Sequence, residues 1–373
     1  MKDPLEYSVD ELNSLSTEEL QELYHNAQMK EDEYHTAQLC KKVTINSLYG
    51  ALGNAYFPLF NQEIAQAITG NGRFYIQHTA NLIEDTLQQK IPSKIKYLVY
   101  GDTDSVYFQI KPYVEMFASK NPSASLKDKI DFCKKFMEKV IQPIIDKSND
   151  LAYAKLNGFN RARIQAKNEV ICDSAVLCAK KKYYARVRVD EGTEFPLDNP
   201  HIKVMGLELA KSTTPAWVKE KLNEAIPMIF DSTPDELKNW INKLRDEYTQ
   251  APLPDIAAVG SANSLNYNLG DKGVPFGSRV AIVYNNYVRS HNLENKYPLI
   301  TEGTKHQRLF LRTPNKFNTE CIGYISDEFA EKELKGLVDY DTQFKKSFLA
   351  SLQLMVDCLG IDVVNNSVQI DDW

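Results

Sequence analysis

Residues 97–108 read YLVYGDTDSVYF, two β-rich apolar runs either side of a short polar turn. The aromatic and β-branched flanks at Tyr97–Tyr100 and Val106–Ile110 predict a hairpin that is held in place rather than free in solvent. Alternate side chains on a strand share a face, so Asp102 and Asp104 are expected to point to one side, with Gly101 supplying the backbone freedom of the turn. Two carboxylates at a rigid tip suit a hard, oxygen-seeking cation such as magnesium. A pair of such ions can stabilise both the attacking and the leaving oxygen in phosphoryl transfer. Gly-Asp-Thr-Asp is also sound turn chemistry without any metal, and nucleotide-sugar transferases use Asp-x-Asp too, so the hairpin alone leaves the enzyme class open.

Upstream, residues 41–50 read KKVTINSLYG. On a helix Lys42, Asn46 and Tyr49 fall at i, i+4 and i+7 and share a face, offering a cation to a triphosphate and a flat ring to a base or sugar. The small residues Gly50, Ala51 and Gly53 beyond them leave room for close approach. Downstream, residues 179–189 read AKKKYYARVRV. This dense cationic run between β-like segments would place Lys181 and Tyr183 on one face and Lys180 and Lys182 on the other. Contacts of that kind hold a phosphate backbone without reading sequence.

Total charge gives no hint of this. The 373 residues carry a net charge of −6, but residues 1–35 hold ten acids against two lysines, and residues 155–188 hold nine Lys or Arg against Glu169 and Asp173. The basic residues are gathered, and a gathered patch binds phosphates whatever the average. With 43% hydrophobic and 25% charged residues the composition is that of a globular protein of two or three compact units. No apolar run is long enough to span a membrane, and the acidic N-terminus lacks a secretory core, so the chain is expected in the cytoplasm. Cys40, Cys133, Cys172, Cys178, Cys321 and Cys358 have no zinc-ligand spacing and read as reduced thiols.

Patterning places helices from Ser16, whose Ser-x-x-Glu form is a capping box, over Glu31–Leu48, over 61–90 and over 126–150. Gly50, Gly53 and Pro58 are expected to interrupt the chain. Strands are expected over 164–190 with a lysine-rich turn at their centre, an irregular stretch over 190–200, and a mainly helical remainder from Pro215, with a loop over 263–275 and a last helix over 339–359.

The order Lys-x-x-x-Asn-Ser-x-Tyr-Gly, then Tyr-Gly-Asp-Thr-Asp-Ser some fifty residues later, resembles two motifs of the family B DNA polymerases in their T-even-like bacteriophage form. That resemblance implies an α+β fold forming part of a polymerase right hand. It would comprise a helical fingers segment (1–55), an antiparallel palm sheet carrying the acidic hairpin (56–203), a mainly helical thumb (204–360) and a tail (361–373). It implies that Asp104 and Asp102 ligate two magnesium ions, with manganese as a substitute, and that Lys42, Asn46, Tyr49 and Gly50 line the dNTP pocket. Lys180, Lys181, Lys182 and Tyr183 are similar to the primer-gripping Lys-Lys-Arg-Tyr motif, with lysine in place of its arginine at 182. Glu169 matches an acidic position near the metals. VMGLELAKSTTP resembles the palm-to-thumb junction, making Lys211, Ser212 and Thr213 backbone-phosphate contacts. Lys272 and Arg279 are implied duplex contacts, and Gly277 stands where a DNA-contacting histidine is expected. The terminal NSVQIDDW, through Ile370 and Trp373, resembles a sliding-clamp tether.

The family's third metal-binding carboxylate, its first fingers helix and its exonuclease have no counterpart here. The resemblance therefore implies a polymerase subunit, natural or truncated, that needs an N-terminal partner chain besides primer-template DNA and dNTP. The alternative from another class is a DNA-binding or assembly module that has lost catalysis.

Overall fold

The computed structural model describes residues 6–156 and 166–364. The chain divides into two compact units, one made of Met1–Ala124 with Lys135–Lys167 and the other of Ser125–Lys134 with Asn168–Trp373.

The first unit begins with a short helix, α1 (Val9–Asn13), and a 36-residue helix, α2 (Thr17–Leu52). The expected capping box is present in full. The Ser16 hydroxyl accepts from the Glu19 amide at 3.3 Å, and the Glu19 carboxylate accepts from the Ser16 amide at 2.8 Å. Ser8 and Glu11 repeat the device at the start of α1. The two helical stretches expected before Gly50 are one helix, which runs through Gly50 and stops at Gly53. Next comes α3 (Gln62–Lys90), begun by the Asn61 side chain accepting from the Ile64 amide.

An antiparallel pair follows, β1 (Leu98–Asp102) and β2 (Ser105–Phe108). After it come α4 (Lys111–Lys120) and α6 (Gln142–Lys155), preceded by a wider helical turn over Met137–Ile141, while α5 (Leu126–Phe136) between them in sequence belongs, up to Lys134, to the second unit. The helix α4 had no expectation behind it; Pro112 sits in its first turn, where a missing N–H removes no helical hydrogen bond. In the core of this unit α3 packs on α6 and on the hairpin, around the fully buried Ile83, Leu87 and Tyr97. Buried polar groups on the α3–α6 seam are paired: Thr79 and His78 both reach the Ser148 hydroxyl at 2.9 Å.

In the second unit β3 (Val170–Ala179) and β4 (Lys182–Asp190) form the long hairpin expected over 164–190. On its other edge β4 pairs with β5 (Thr193–Glu194) and β6 (His201–Met205). The stretch expected to be irregular is thus partly a tight hairpin, turned by Glu191 and Gly192 at φ 47° and 88°. Helices α7 (Ala216–Asp231), α8 (Pro234–Gln250) and α9 (Leu253–Ile256) follow. The region expected to be mainly helical also holds a three-stranded antiparallel sheet of β7 (Ala258–Ser261), β8 (Lys305–Phe310) and β9 (Cys321–Tyr324), with α10 (Phe276–Ser290) between its first two strands in sequence.

Helical segments Tyr340–Phe344, Lys345–Leu349, Ala350–Val356 and Asp357–Leu359 occupy the place expected for the last helix. Trp217 packs edge-on against Tyr248, Phe344 and Phe348. Tyr184, fully buried on β4, donates to the Met355 carbonyl at 3.0 Å and so ties the sheet to the last helical run. Burying each such side chain contributes about 1.5–3 kcal/mol. The architecture is mixed helix and antiparallel sheet.

Candidate active site

The acidic hairpin is anchored from below. Tyr97, just before β1, is fully buried; its hydroxyl donates to the Ile91 carbonyl at 2.7 Å, and its carbonyl accepts from the Gln109 amide at 2.8 Å. The Glu84 carboxylate of α3 accepts from the Leu98 amide at 2.6 Å. Burial pushes the Glu84 carboxyl up, but the hydrogen bonds from Leu98, Gln88 and Tyr97 and the nearby Lys96 ammonium outweigh it, so its pKa is lowered and it stays charged. Sequence reasoning missed Glu84, because one glutamate on an amphipathic helix carries no signal of the strand it will hold.

The turn differs from the expectation in two respects. Asp102 pairs with Ser105, so the turn is the two residues Thr103 and Asp104, and strand alternation does not place the two carboxylates. The left-handed residue is Thr103, at φ 49°, whereas Gly101 lies in β1. A β-branched residue in that region is strained by about 1–2 kcal/mol. Strain of this kind persists where the surroundings over-determine the backbone; here the Thr103 hydroxyl donates to the Asp102 carboxylate at 3.1 Å and the Ser105 hydroxyl to the Asp102 carbonyl at 3.3 Å. Asp104 is exposed at the tip and Asp102 is half-buried behind it. Both offer hard oxygen donors, which fits a divalent magnesium or manganese ion. Among the described residues no three His, Cys, Asp or Glu side chains gather as a metal-binding group.

Lys42, Asn46, Tyr49 and Gly50 all lie on α2 and are exposed. Lys42 makes no ion pair among the described residues, and a Cβ added at Gly50 would meet nothing within 4 Å. This face is open to an incoming group.

The remaining candidates belong to the second unit. Ala179 pairs with Lys182, so Lys180 and Lys181 form the expected lysine-rich turn, between β3 and β4, and do not alternate across a strand with Lys182 and Tyr183 as was also expected. Lys181 takes φ 62°, again a non-glycine residue in the left-handed region. Lys180 and Lys182 make no ion pair among the described residues, while Tyr183 is buried at 8% exposure and pairs with Met205. Glu169, exposed just before β3, accepts at its carbonyl from the Glu191 amide at 2.7 Å.

The basic turn is joined by contact to the other candidates. A Cβ at Gly206, which has φ 66°, would lie 2.1 Å from the Lys181 carbonyl oxygen, so only glycine fits there. Lys211 pairs with Glu208 at 2.6 Å, and the exposed Thr213 accepts at its carbonyl from the Val259 amide of β7 at 3.1 Å. At the end of β7, the Ser261 carbonyl stands 2.3 Å from where a Cβ of Gly277 would be. That distance explains the glycine at a position where histidine is expected: α10 lies too close to β7 for any side chain. Arg279, one helical step beyond, is exposed with a long 3.4 Å bond to the Val274 carbonyl, and Lys272 is exposed in the preceding loop. Lys180–Tyr183, Lys211–Thr213 and Arg279 are thus linked through backbone contacts of Gly206, β7 and Gly277. Ile370 and Trp373 lie outside the described residues.

Sequence comparison decides the family. The sequence model of DNA polymerase family B matches residues 18–254, a span holding both the α2 face and the acidic hairpin. The chain belongs to DNA polymerase family B. It is 31% identical to the DNA-directed DNA polymerase of Enterobacteria phage T4 over 96% of its own length and 41% of that protein's. It is 27% identical to the DNA-directed DNA polymerase of Escherichia phage RB69 over 95% of its length and 40% of that protein's. DNA polymerase 1 of Sulfolobus acidocaldarius matches 64% of the chain at 25% identity. The family B chain therefore spans about two fifths of the length of its phage relatives. Among the described residues no helix is long and apolar enough to cross a membrane.

Proposed function

We propose that this chain is the C-terminal part of a template-directed DNA polymerase, with fingers near 1–55, palm near 56–203 and thumb near 204–360. It adds a dNTP to a primer 3′ end, the primer hydroxyl attacking the α-phosphate and pyrophosphate leaving. The observation that carries this reading is the anchored β1–β2 hairpin with both aspartates at its end, in a chain of family B.

Asp104 and Asp102 would hold magnesium, or manganese in its place. When bound, the ions supply charge stabilisation to the attacking and leaving oxygens. Lys42 binds the triphosphate, while Asn46, Tyr49 and Gly50 line the pocket beside the sugar and base. The lysines of the β3–β4 turn hold the primer backbone, with Tyr183 fixing the strand behind them, and Glu169 takes the acidic role that the family resemblance gives it. Lys211, Ser212, Thr213, Lys272 and Arg279 contact the duplex. None of these contacts needs base readout, which suits an enzyme that copies any sequence. Ile370 and Trp373 tether the enzyme to a sliding clamp, and the work is done in the cytoplasm, of the host cell if the protein is viral.

Two carboxylates are a thin scaffold for two divalent ions. The chain accordingly works with a companion polypeptide that supplies a third carboxylate and the exonuclease. Primer extension with this chain, with an N-terminal polymerase half and with the mixture tests the proposal. Extension by the mixture alone is expected. Silence in all three with primer-template DNA still bound would instead favour a non-catalytic DNA-binding module.

A further inference from the structure

The strand that carries Asp102 holds one residue more than its partner. Leu98 of β1 faces Phe108 of β2, while Tyr100, Gly101 and Asp102 face Tyr107, Val106 and Ser105. Two steps along β1, from Leu98 to Tyr100, are thus matched by a single step along β2. The surplus is a β-bulge at Val99, which is 48% exposed. It decides where the acids fall. Without it the register of Leu98 and Phe108 would run on to pair Gly101 with Ser105, and Asp102 would leave the strand for the turn.

Below the bulge the backbone is held. Tyr97 is buried, and its carbonyl accepts from the Gln109 amide at 2.8 Å. The Leu98 amide donates to Glu84 Oε2 at 2.6 Å, and Glu84 Oε1 accepts from Gln88 Nε2 at 3.0 Å. Gln88, one turn along α3, accepts in its turn from the Ser93 amide at 2.8 Å. If β1 slid by one residue to absorb the bulge, the Leu98 amide would leave a half-buried carboxylate that stays charged. A hydrogen bond to an ionised acceptor is about twice as strong as a neutral one, so Glu84 opposes the slide.

We propose that Glu84 and the bulge at Val99 together set the register of the hairpin, which makes Glu84 a positioning residue for the carboxylates of Asp102 and Asp104. The inference rests on the polymerase reading above and adds the residue that aims its metal-binding tip. From Tyr100 to Asp102 the ladder is unbroken, so a shift at Val99 is carried to the acids. Bulges beside active sites re-aim side chains in this way.

Both oxygens of Glu84 accept, so Glu84→Gln must turn an N–H donor toward either Leu98 or Gln88. Adding Gln88→Glu restores the match, with a carboxylate at position 88 to receive that donor and the Ser93 amide. In hydrogen exchange of this chain, the amides of residues 97–102 should open faster in Glu84→Gln and recover in the double variant. Manganese binding to this chain, followed by electron paramagnetic resonance, should weaken about tenfold or more in the single variant. In the two-chain mixture its kcat should fall by about tenfold to a hundredfold, the scale of a misplacement near 1 Å. The half-saturating magnesium concentration should rise, while the KM for dNTP and the affinity for primer-template DNA stay as in the parent. Gln88→Glu should restore both kcat and the magnesium requirement. Deleting Val99 should give the signature of Glu84→Gln with Glu84 intact.

A role in stability alone would lower the fraction of active enzyme and leave the magnesium requirement where it was, and that result would overturn the proposal. Unchanged exchange in Glu84→Gln, or a Val99 deletion that extends primers like the parent, would overturn it too. A parent mixture that extends no primer would instead remove the polymerase reading, and hydrogen exchange with manganese binding would still decide the register.

Discussion

Gly206→Ala should damage the second unit in a way that can be worked out from two contacts. The residue follows β6 at φ 66°, and its new methyl would sit 2.1 Å from the Lys181 carbonyl oxygen, with the Lys182 side chain at 3.3 Å. Real contacts of this kind stay beyond 3.0 Å, so either Gly206 or the β3–β4 turn must retreat by roughly 0.9 Å. An L-residue in the left-handed region costs about 1–2 kcal/mol, and overpacking adds about 1–3 kcal/mol. The expected loss is about 2–5 kcal/mol, or near 1 M in the urea midpoint at a slope of about 3 kcal/mol/M. The same displacement moves Lys180 and Lys181, so affinity for primer-template DNA should fall with it. The comparison variant is Lys180→Ala/Lys182→Ala, whose side chains make no ion pair among the described residues. It should lower the slope of log affinity against log salt by nearly 2 while leaving the urea midpoint in place. An unchanged midpoint and unchanged DNA affinity in Gly206→Ala would refute the argument that this glycine seats the basic turn.

Three further expectations follow from other parts of the chain. Asp173→Asn removes the carboxylate that pairs with both Arg186 and Arg188 at 2.8 Å. It leaves Arg188, 4% exposed, without its counter-charge, and should cost about 3–5 kcal/mol in urea unfolding. His306 is 2% exposed, and its ring lies against Gly260, Gly277 and Gly323. Burial, with the Arg308 charge adding to it and the Thr304 backbone opposing, lowers its pKa. The folded protein therefore holds the imidazole neutral while the unfolded chain titrates near the ordinary value of about 6.5. Stability should be full above that pH and fall on acidification by up to about 1.4 kcal/mol per unit, a slope that His306→Gln should flatten in thermal melts. Lys42→Ala should raise the KM for dNTP by about tenfold to a hundredfold, with DNA affinity unchanged, when extension is measured in the two-chain mixture.

The acidic hairpin was legible because its flanks carry strong β-formers and its centre only turn residues. What the sequence could not convey was which residue bends. Gly101 is the obvious candidate, yet pairing of Asp102 with Ser105 puts the bend at Thr103, held there by neighbouring hydrogen bonds and by the anchoring of Tyr97 and Leu98. The lysine-rich turn at the centre of 164–190 was legible as well, but the alternation of faces across Lys180–Tyr183 was not, since charge and alternation do not say which two residues, Lys180 and Lys181, form the loop. The β7–β8–β9 sheet escaped notice for a different reason. Its strands are four to six residues long, two contain glycine, and KHQRLF is largely polar, so no alternation stands out. They are strands because Ile322, Leu309 and Tyr324 are buried in the core of this unit, a tertiary fact. The long helices were legible from capping and periodicity, although nothing local forecast that α2 would continue through Gly50. Gly277 is the most instructive case. Comparison with the family's pattern marked it as a departure, and only the 2.3 Å approach of Ser261 gives the reason.

The most direct test of the central claim is single-nucleotide primer extension by this chain mixed with an N-terminal half, before and after Asp104→Asn. The substitution keeps the size of an exposed side chain, so folding and primer-template affinity should not change. The account predicts no extension by either chain alone, extension by the mixture, and a loss of at least about a thousandfold, or 4 kcal/mol, with Asp104→Asn. Extension within tenfold of the parent in that variant, or full extension by the isolated chain, would contradict it.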